Sequence, residues 1–135
     1  MMSNEKMKMA VKNLIESDTV DIIGELCAPD FVGHMPGMPE PVDRSGFMNF
    51  AAMLYSAFPD LHHDVEVQLA ENDLMALCVK VSGTHQGEFQ GIPATGKKVV
   101  FIDLIITRLE NGKAKELWAQ FDISGLLQQL GVQQV

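Results

Sequence analysis

Two histidines, His34 and His85, lie near the ends of predicted strands, where a side chain could transfer a proton. His85 follows the apolar run 74–81 and precedes the turn residues 91–96, and His34 follows the strand-like pair Phe31-Val32. An imidazole in such a position can hydrogen-bond a polar group or hold a carboxylate in place. The alternative for each is a histidine whose hydrogen bonds are satisfied by the backbone at a strand end.

Asp103 is a third candidate, because it interrupts the otherwise apolar run 99–106. An unpaired carboxylate is costly among apolar side chains. Strand alternation places Asp103 on one face with Phe101 and Ile105. It is either a buried carboxylate that binds substrate or assists acid/base chemistry, or a carboxylate at a sheet edge or dimer interface.

Length and composition limit the class of protein. The 135 residues are predicted to form one domain, 1–135, large enough to bury a core without disulfides or a metal. The formal charge of −8 argues against nucleic acid as a partner, and neither a membrane span nor a signal peptide is predicted. Cys27 and Cys78 lack metal-ligand spacing and are interpreted as free thiols of a cytoplasmic protein. No metal or cofactor is expected.

The apolar periods predict helices first and strands afterwards. Helices are expected at 4–16, in a short segment that Asp18 caps, at 43–58 and at 124–130. From Leu61 the period changes to two, and strands are expected from 61, at 74–84, at 97–109 and at 113–121. This order indicates an α+β fold, with the helices against one face of a curved antiparallel sheet.

His62 and His63 adjoin the end of the third predicted helix. Because no third ligand has suitable spacing, we expect a surface pair rather than metal ligands. Their neighbours Leu61, Val65 and Val67 are expected to share one strand face with His63.

Several short motifs occur in an order that resembles one family. They are APDFV at 28–32 with His34, AFPDL at 57–61, GTHQG at 83–87, GIPATGK at 91–97, NGK at 111–113, Trp118, Asp122 and QLG at 129–131. The chain is similar to the SnoaL-like polyketide cyclases, also called ester cyclases, of the NTF2-like superfamily. The resemblance extends over nearly the whole chain.

The resemblance implies a cone-shaped α+β barrel around an apolar pocket, often in a homodimer. It also implies ring closure by intramolecular aldol condensation without metal or cofactor. Asp122 aligns with the acid/base of such cyclases, with His34 and His85 as polarising or orienting groups. Trp118 and Gln120 share the strand face of Asp122 and would bind substrate oxygens.

The pocket is expected to include third-helix residues such as Phe50 and Leu54, with Asp103 as a further substrate contact. The alternative for Asp122 is a capping residue of the final helix. The family often has a small residue where this chain has Asp103, and an acid where it has Ile105.

Two functions follow as hypotheses. The first is a cofactor-independent cyclase or isomerase that acts on a small apolar carbonyl compound. The second is a non-catalytic module that binds a hydrophobic small molecule or serves for dimerisation, since a fold does not fix a function. In both, four apolar residues on the other face of one strand predict a homodimer: Val100, Ile102, Leu104 and Ile106.

Overall fold

The computed structural model describes residues 3–132, so both ends of the predicted domain 1–135 lie outside the described residues. The helices are α1 (Asn4–Ile15), α2 (Ile22–Leu26), α3 (Arg44–Ala57) and α4 (Ile123–Gln129). The strands are β1 (Cys27–His34), β2 (His62–Glu71), β3 (Leu74–Thr84), β4 (Lys98–Glu110) and β5 (Lys113–Phe121). The expected α+β fold is confirmed. No helix within 3–132 is long and apolar enough to cross a bilayer.

The five strands form one curved sheet in the order β1-β5-β4-β3-β2. Strands β2 to β5 are an antiparallel meander, as the alternation and turn residues predict. Strand β1 instead pairs in parallel with β5, and His34 lies opposite Trp118. The sequence analysis missed most of β1, because Ala28-Pro29-Asp30 reads as a helix end rather than a strand.

The two faces of the sheet have different partners. We call inner the face that packs against α1, α2 and α3, and outer the opposite face. On β4 the inner face carries Phe101, Asp103 and Ile105, whereas Leu104 and Ile106 of the outer face are 57% and 49% exposed. The alternation predicted for this strand is therefore confirmed.

A bulge in β2 changes which of its residues face inward. Val65 pairs with Val79, but Val67 pairs with Cys78, so one extra residue lies between them. Val67 is consequently 53% exposed on the outer face. The prediction that it shares a face with His63 is wrong, because side chains alternate and one extra residue reverses the parity.

Side-chain caps fix the starts of three helices. Ser3 caps α1, Asp43 caps α3 and Asp122 caps α4, each by accepting a hydrogen bond from a backbone N–H of the first turn. The expectation that Asp18 caps α2 is wrong. That helix begins after Asp21 without a side-chain cap.

Strand β4 is longer than its partner β5, and α4 compensates at the exposed edge. Beyond the pair Asp103–Phe121, β4 pairs with no strand on the β5 side within residues 3–132. There the side-chain amide of Gln129 accepts from the Val100 N–H at 2.9 Å and donates to the Val100 carbonyl at 2.8 Å. One glutamine thus replaces a missing strand partner and holds α4 against the sheet.

Candidate active site

A cavity lies between the inner face of the sheet and the helices, with a volume of about 110 Å³. Its wall is mostly apolar. The helices contribute Val11, Ile15, Ile22, Ile23, Leu26, Phe47, Phe50, Ala51, Leu54 and Tyr55, and the strands contribute His63, Leu77, Asp103, Ile105, Thr107, Leu117, Ala119 and Phe121. Phe50 and Leu54 therefore lie where the sequence analysis expected them, and their role in binding substrate stays a prediction.

Asp103 places a carboxylate in this apolar wall. Its Oδ1 is buried and has no hydrogen-bond partner among the described residues. Burial raises the pKa of Asp103 to about 7, because an apolar environment disfavours the charged form. The residue as a whole is only partly buried, and it lines the cavity. Asp103 is thus a carboxyl group that can exchange a proton near neutral pH with a molecule in the cavity.

Few other polar groups reach the cavity. Thr107 is already used, because its hydroxyl donates to the Glu116 carbonyl at 3.0 Å. Tyr55 remains available, and burial together with the nearby Asp18 carboxylate raises the pKa of its hydroxyl to about 12. Its hydroxyl therefore stays protonated at neutral pH and can donate a hydrogen bond.

The sequence analysis missed Tyr55 and misjudged His63. Tyr55 lies eight residues after Phe47 on the apolar face of α3, and this helical spacing could have identified it. His63 has a 20% exposed side chain and lines the cavity, so the expectation of a surface pair is wrong for this residue. His62 is on the surface, with a side chain that is 52% exposed.

The structure reverses the expected orientation of β5. Leu117, Ala119 and Phe121 line the cavity, whereas Trp118 and Gln120 border a groove on the outer face. The alternation along β5 was predicted correctly, but the face assigned to the pocket was wrong. The inner face of β4 settles the choice, because Asp103 pairs with Phe121 and Ile105 pairs with Ala119.

Asp122 lies at the start of α4 and does not line the cavity. Its Oδ1 accepts a hydrogen bond from the Gly125 N–H at 2.9 Å, as in the capping alternative. It therefore has the role that Asp has at many helix starts. An acid/base role for Asp122 stays a prediction without support from the cavity.

His34 and His85 also lie away from the cavity wall. The His34 Nε2 contacts Glu116 Oε2 at 2.8 Å, and the ring stacks on Trp118 with centroids 5.3 Å apart. His85 is fully buried beside Phe58, and its Nδ1 accepts from the Thr95 N–H at 3.2 Å. This contact fixes the turn that joins β3 to β4, since the His85 carbonyl also accepts from the Gly96 N–H.

The described residues form no cluster of His, Cys, Asp or Glu that could hold a metal ion. Asp103 is the carboxyl group of the cavity with a pKa near neutral pH, and the ring of His63 also lines the cavity.

The sequence and the fold were compared with known proteins. AclR from Streptomyces galilaeus, a proposed hydroxylase, superposes with a TM-score of 0.87 at 28% identity, over 98% of this chain and 86% of AclR. IdmH from Streptomyces antibioticus, a proposed polyketide cyclase, has a TM-score of 0.81 at 30% identity, over 97% of this chain and 100% of IdmH.

A SnoaL-like protein from Jannaschia sp. CCS1 has the same fold, with a TM-score of 0.81 at 21% identity over 97% of this chain and 93% of that one. The comparison with curated proteins found no match. Residues 5–130 match the sequence profile described as SnoaL-like polyketide cyclase. The chain therefore belongs to the SnoaL-like polyketide cyclase family.

Proposed function

We propose that the protein is a cofactor-independent enzyme in which Asp103 removes a proton from the carbon next to a carbonyl group of a small apolar compound. The observation that carries the proposal is the Asp103 carboxyl group, whose buried oxygen has no partner in the described part of the chain and which borders an apolar cavity. A purely structural role would favour a partner for this oxygen, because an unsatisfied buried polar atom is destabilising. An unpaired Asp103 oxygen is understandable if it binds a ligand in the cavity.

The environment of Asp103 suits a base. A carboxylate in an apolar wall is a stronger base than in water, and its pKa of about 7 lies near physiological pH. The proton next to a carbonyl leaves as an enolate forms, and the Tyr55 hydroxyl can stabilise negative charge on the enolate oxygen.

The cavity favours a small ligand. A dry cavity of about 150 Å³ in another protein binds benzene, and the cavity described above is close to this size, at about 110 Å³. A volume of this size suits a compound with one ring, or one ring of a longer molecule, in contact with lining residues such as Phe50, Leu77 and Asp103. These dimensions support a monocyclic carbonyl compound more than a fused polycyclic one.

Ring closure is the reaction that membership of the family supports. After Asp103 takes the proton, the enolate carbon forms a bond to a second carbonyl carbon of the same molecule, and the resulting alkoxide takes up a proton. The description of IdmH as a proposed polyketide cyclase agrees with this reaction. The description of AclR as a proposed hydroxylase shows that relatives of this fold are assigned other chemistry.

The test is deuterium exchange at the carbon next to the carbonyl. Purified protein is incubated in D₂O with cyclohexanone, 2-cyclohexenone and 1,3-cyclohexanedione, and proton loss is followed by NMR. We expect Asp103→Asn to lower the exchange rate by about 100-fold or more while retaining ketone binding. Asp122→Asn is the matched control and should keep the rate of the unsubstituted protein. If only Asp122→Asn loses exchange, the base is Asp122 rather than Asp103.

The competing function is a non-catalytic carrier. It requires only the apolar wall, and so it predicts that Asp103→Asn binds ketones at least as well as the unsubstituted protein. If neither the unsubstituted protein nor its variants exchange deuterium faster than buffer alone, while ketone binding is measurable, a carrier describes the protein better.

We also propose a homodimer through the outer face of the sheet. Leu69 and Leu104 are 65% and 57% exposed there, and with Val67 and Trp118 they border one continuous apolar groove. Such a patch is unfavourable in water unless another surface covers it. Analytical ultracentrifugation at micromolar concentration tests this assembly, which a monomer would refute.

The location of the protein in the cell is likewise a proposal. Cys27 and Cys78 are free thiols, which supports a reducing compartment such as the cytoplasm. Fractionation of cells that express the chain from its own gene would test it.

A further inference from the structure

The turn between α1 and α2 contacts β2 through two carboxylates, Glu16, which accepts from the Val65 N–H at 2.9 Å, and Asp18. Asp18 has a positive φ of 55°, which side-chain-bearing residues rarely adopt. Its Oδ1 accepts from the backbone N–H of His63 at 2.9 Å and lies 3.0 Å from Nδ1 of the same residue. Its Oδ2 lies 2.6 Å from Nδ1 of His62. The carboxylate thus holds both histidine rings.

These contacts determine which nitrogen of His63 is free. Burial acts to raise the pKa of Asp18, but the hydrogen bonds from His62 and His63 outweigh it and hold the pKa below its usual value. Asp18 is therefore ionised at neutral pH and can only accept hydrogen bonds. The proton of a neutral His63 ring consequently resides on Nδ1, and Nε2 keeps a lone pair.

The free nitrogen belongs to a ring that lines the cavity. His63 borders it together with Tyr55, whose ring centroid lies 6.2 Å away. The hydrogen bonds of His63 to the described residues involve its backbone and Nδ1, and none involves Nε2. Nε2 thus has no hydrogen-bond partner among the described residues, in a ring that lines the cavity.

His63 and Asp103 lie on the same face of the sheet at a distance that suits joint action. His63 pairs with Val81, and Asp103 pairs with the inward-facing neighbour Val79. The two residues are thus two strands and two positions apart, or about 12 Å between Cα atoms. Both residues line the cavity, so one small molecule bound there can contact both.

We propose that His63, oriented by Asp18, is the second acid/base group of this cavity and exchanges the proton at the substrate oxygen while Asp103 exchanges the proton at carbon. This inference rests on the proposed function. In the enolisation step the C–H bond breaks, its proton goes to the Asp103 carboxylate, and its electron pair forms the C=C bond. The carbonyl π pair moves to oxygen, which takes the proton from Nε2 of the imidazolium form. The Asp18 carboxylate stabilises that imidazolium, as in other Asp-His pairs.

Under this assignment His63 is a catalytic residue and Asp18 is a positioning residue. The competing explanation is structural, because Asp18 also ties the α1–α2 turn to β2. His62 separates the two. It uses the same carboxylate but lies outside the cavity, so a structural role predicts similar consequences for both histidines.

The experiment compares His63→Asn with His62→Asn. The asparagine amide takes the place of Nδ1, so each variant can keep its hydrogen bond to Asp18, whereas His63→Asn loses Nε2. With cyclohexanone in D₂O, we expect His63→Asn to lower the exchange rate by about 100-fold and leave ketone affinity within about threefold. His62→Asn should retain the rate. Equal rates for the two variants, or an equal loss in both, would overturn the proposal.

Two further measurements keep the outcomes distinct. Long-range ¹H–¹⁵N NMR should show the His63 proton on Nδ1 in the unsubstituted protein, and Asp18→Asn should alter this tautomer as well as the exchange rate. If Asp103→Asn abolishes exchange but His63→Asn does not, the role of His63 is refuted and the proposed function stands. If the unsubstituted protein exchanges none of the three ketones, both fail.

Discussion

Replacing Asp103 by Asn should make the protein more stable at neutral and alkaline pH, and the size of the effect follows from one pKa. In the unfolded chain the carboxyl group has a pKa of about 3.8, whereas burial raises the pKa to about 7 in the folded protein. Folding therefore favours the protonated form of this group. Asparagine has a similar shape and no proton to lose, so it removes the cost of ionising Asp103.

The sign of the effect depends on pH. Below both pKa values the carboxyl group is protonated in the folded and unfolded states, so its ionisation does not change the free energy of unfolding. Between them only the folded protein holds the proton, so the free energy of unfolding falls as the pH rises. Above pH 7 the cost of Asp103 is complete, and the difference of about three pH units corresponds to about 4 kcal/mol.

The assay is urea denaturation of the unsubstituted protein and Asp103→Asn at pH 5 and pH 8, followed by circular dichroism. Every other titrating group is common to both proteins, so the difference between them isolates Asp103. We expect the stability advantage of the variant to grow by about 3 kcal/mol from pH 5 to pH 8. Asp103→Leu, which packs differently but also cannot ionise, should show the same growth.

An advantage that is equal at the two pH values would refute the reasoning. It would mean that Asp103 is already paired or hydrated in the folded protein, and the case for it as the base would lose its electrostatic support. A variant that is more stable but inactive is the expected result, because a group kept for catalysis is often a cost to folding.

Three other predictions concern residues outside the cavity. Leu104→Lys should convert the proposed dimer to a monomer, as measured by sedimentation, with little loss of secondary structure, because its side chain is 57% exposed on the outer face. Asp122→Ala should destabilise the protein by about 1 kcal/mol through loss of the α4 cap, whereas Asp122→Asn should be nearly neutral in thermal unfolding. Gly87→Ala should destabilise by about 1–3 kcal/mol, because its Cβ would lie 2.2 Å from the Ser56 carbonyl oxygen. Gly24→Ala is the matched control: its Cβ meets no atom within 4 Å, and in a helix it should stabilise by about 0.5–1 kcal/mol. A destabilised Gly24→Ala would contradict the open space found around Gly24.

Local patterns predicted most of the elements, and the failures occurred where distant segments decide. The periods of α3 and β4 identified both elements to within about one residue at each end. The parallel pairing of β1 with β5 joins segments about 85 residues apart, and no local pattern encodes it. The bulge before Val67 was not predicted for a related reason, because an extra residue is recognised only from the pairing with the partner strand.

The site was harder to predict than the fold. Asp103 was identified because a carboxylate within an apolar run conflicts with its surroundings. The inward face of β5 was misjudged, because it was assigned from Asp122, which aligns with the acid/base of the family and shares strand parity with Trp118 and Gln120. The apolar residues of β5 that alternate with Trp118 and Gln120, such as Leu117 and Phe121, lie on the same face as the inner residues of β4. Only the pairing of the two strands reveals this.

The two sides of the cavity are built differently: one side, here called the floor, is the sheet, and the other, here called the roof, is formed by the helices. The floor carries Asp103 on β4, a strand held by backbone hydrogen bonds to both β3 and β5. The roof consists of apolar side chains from separate helices, and among them α2 has five residues and no side-chain cap. Evolution, or a protein engineer, can therefore remodel the roof to admit a different ring while the base remains in register. Libraries that vary Ile22, Ile23 and Leu54 should yield changes in substrate range more often than losses of chemistry.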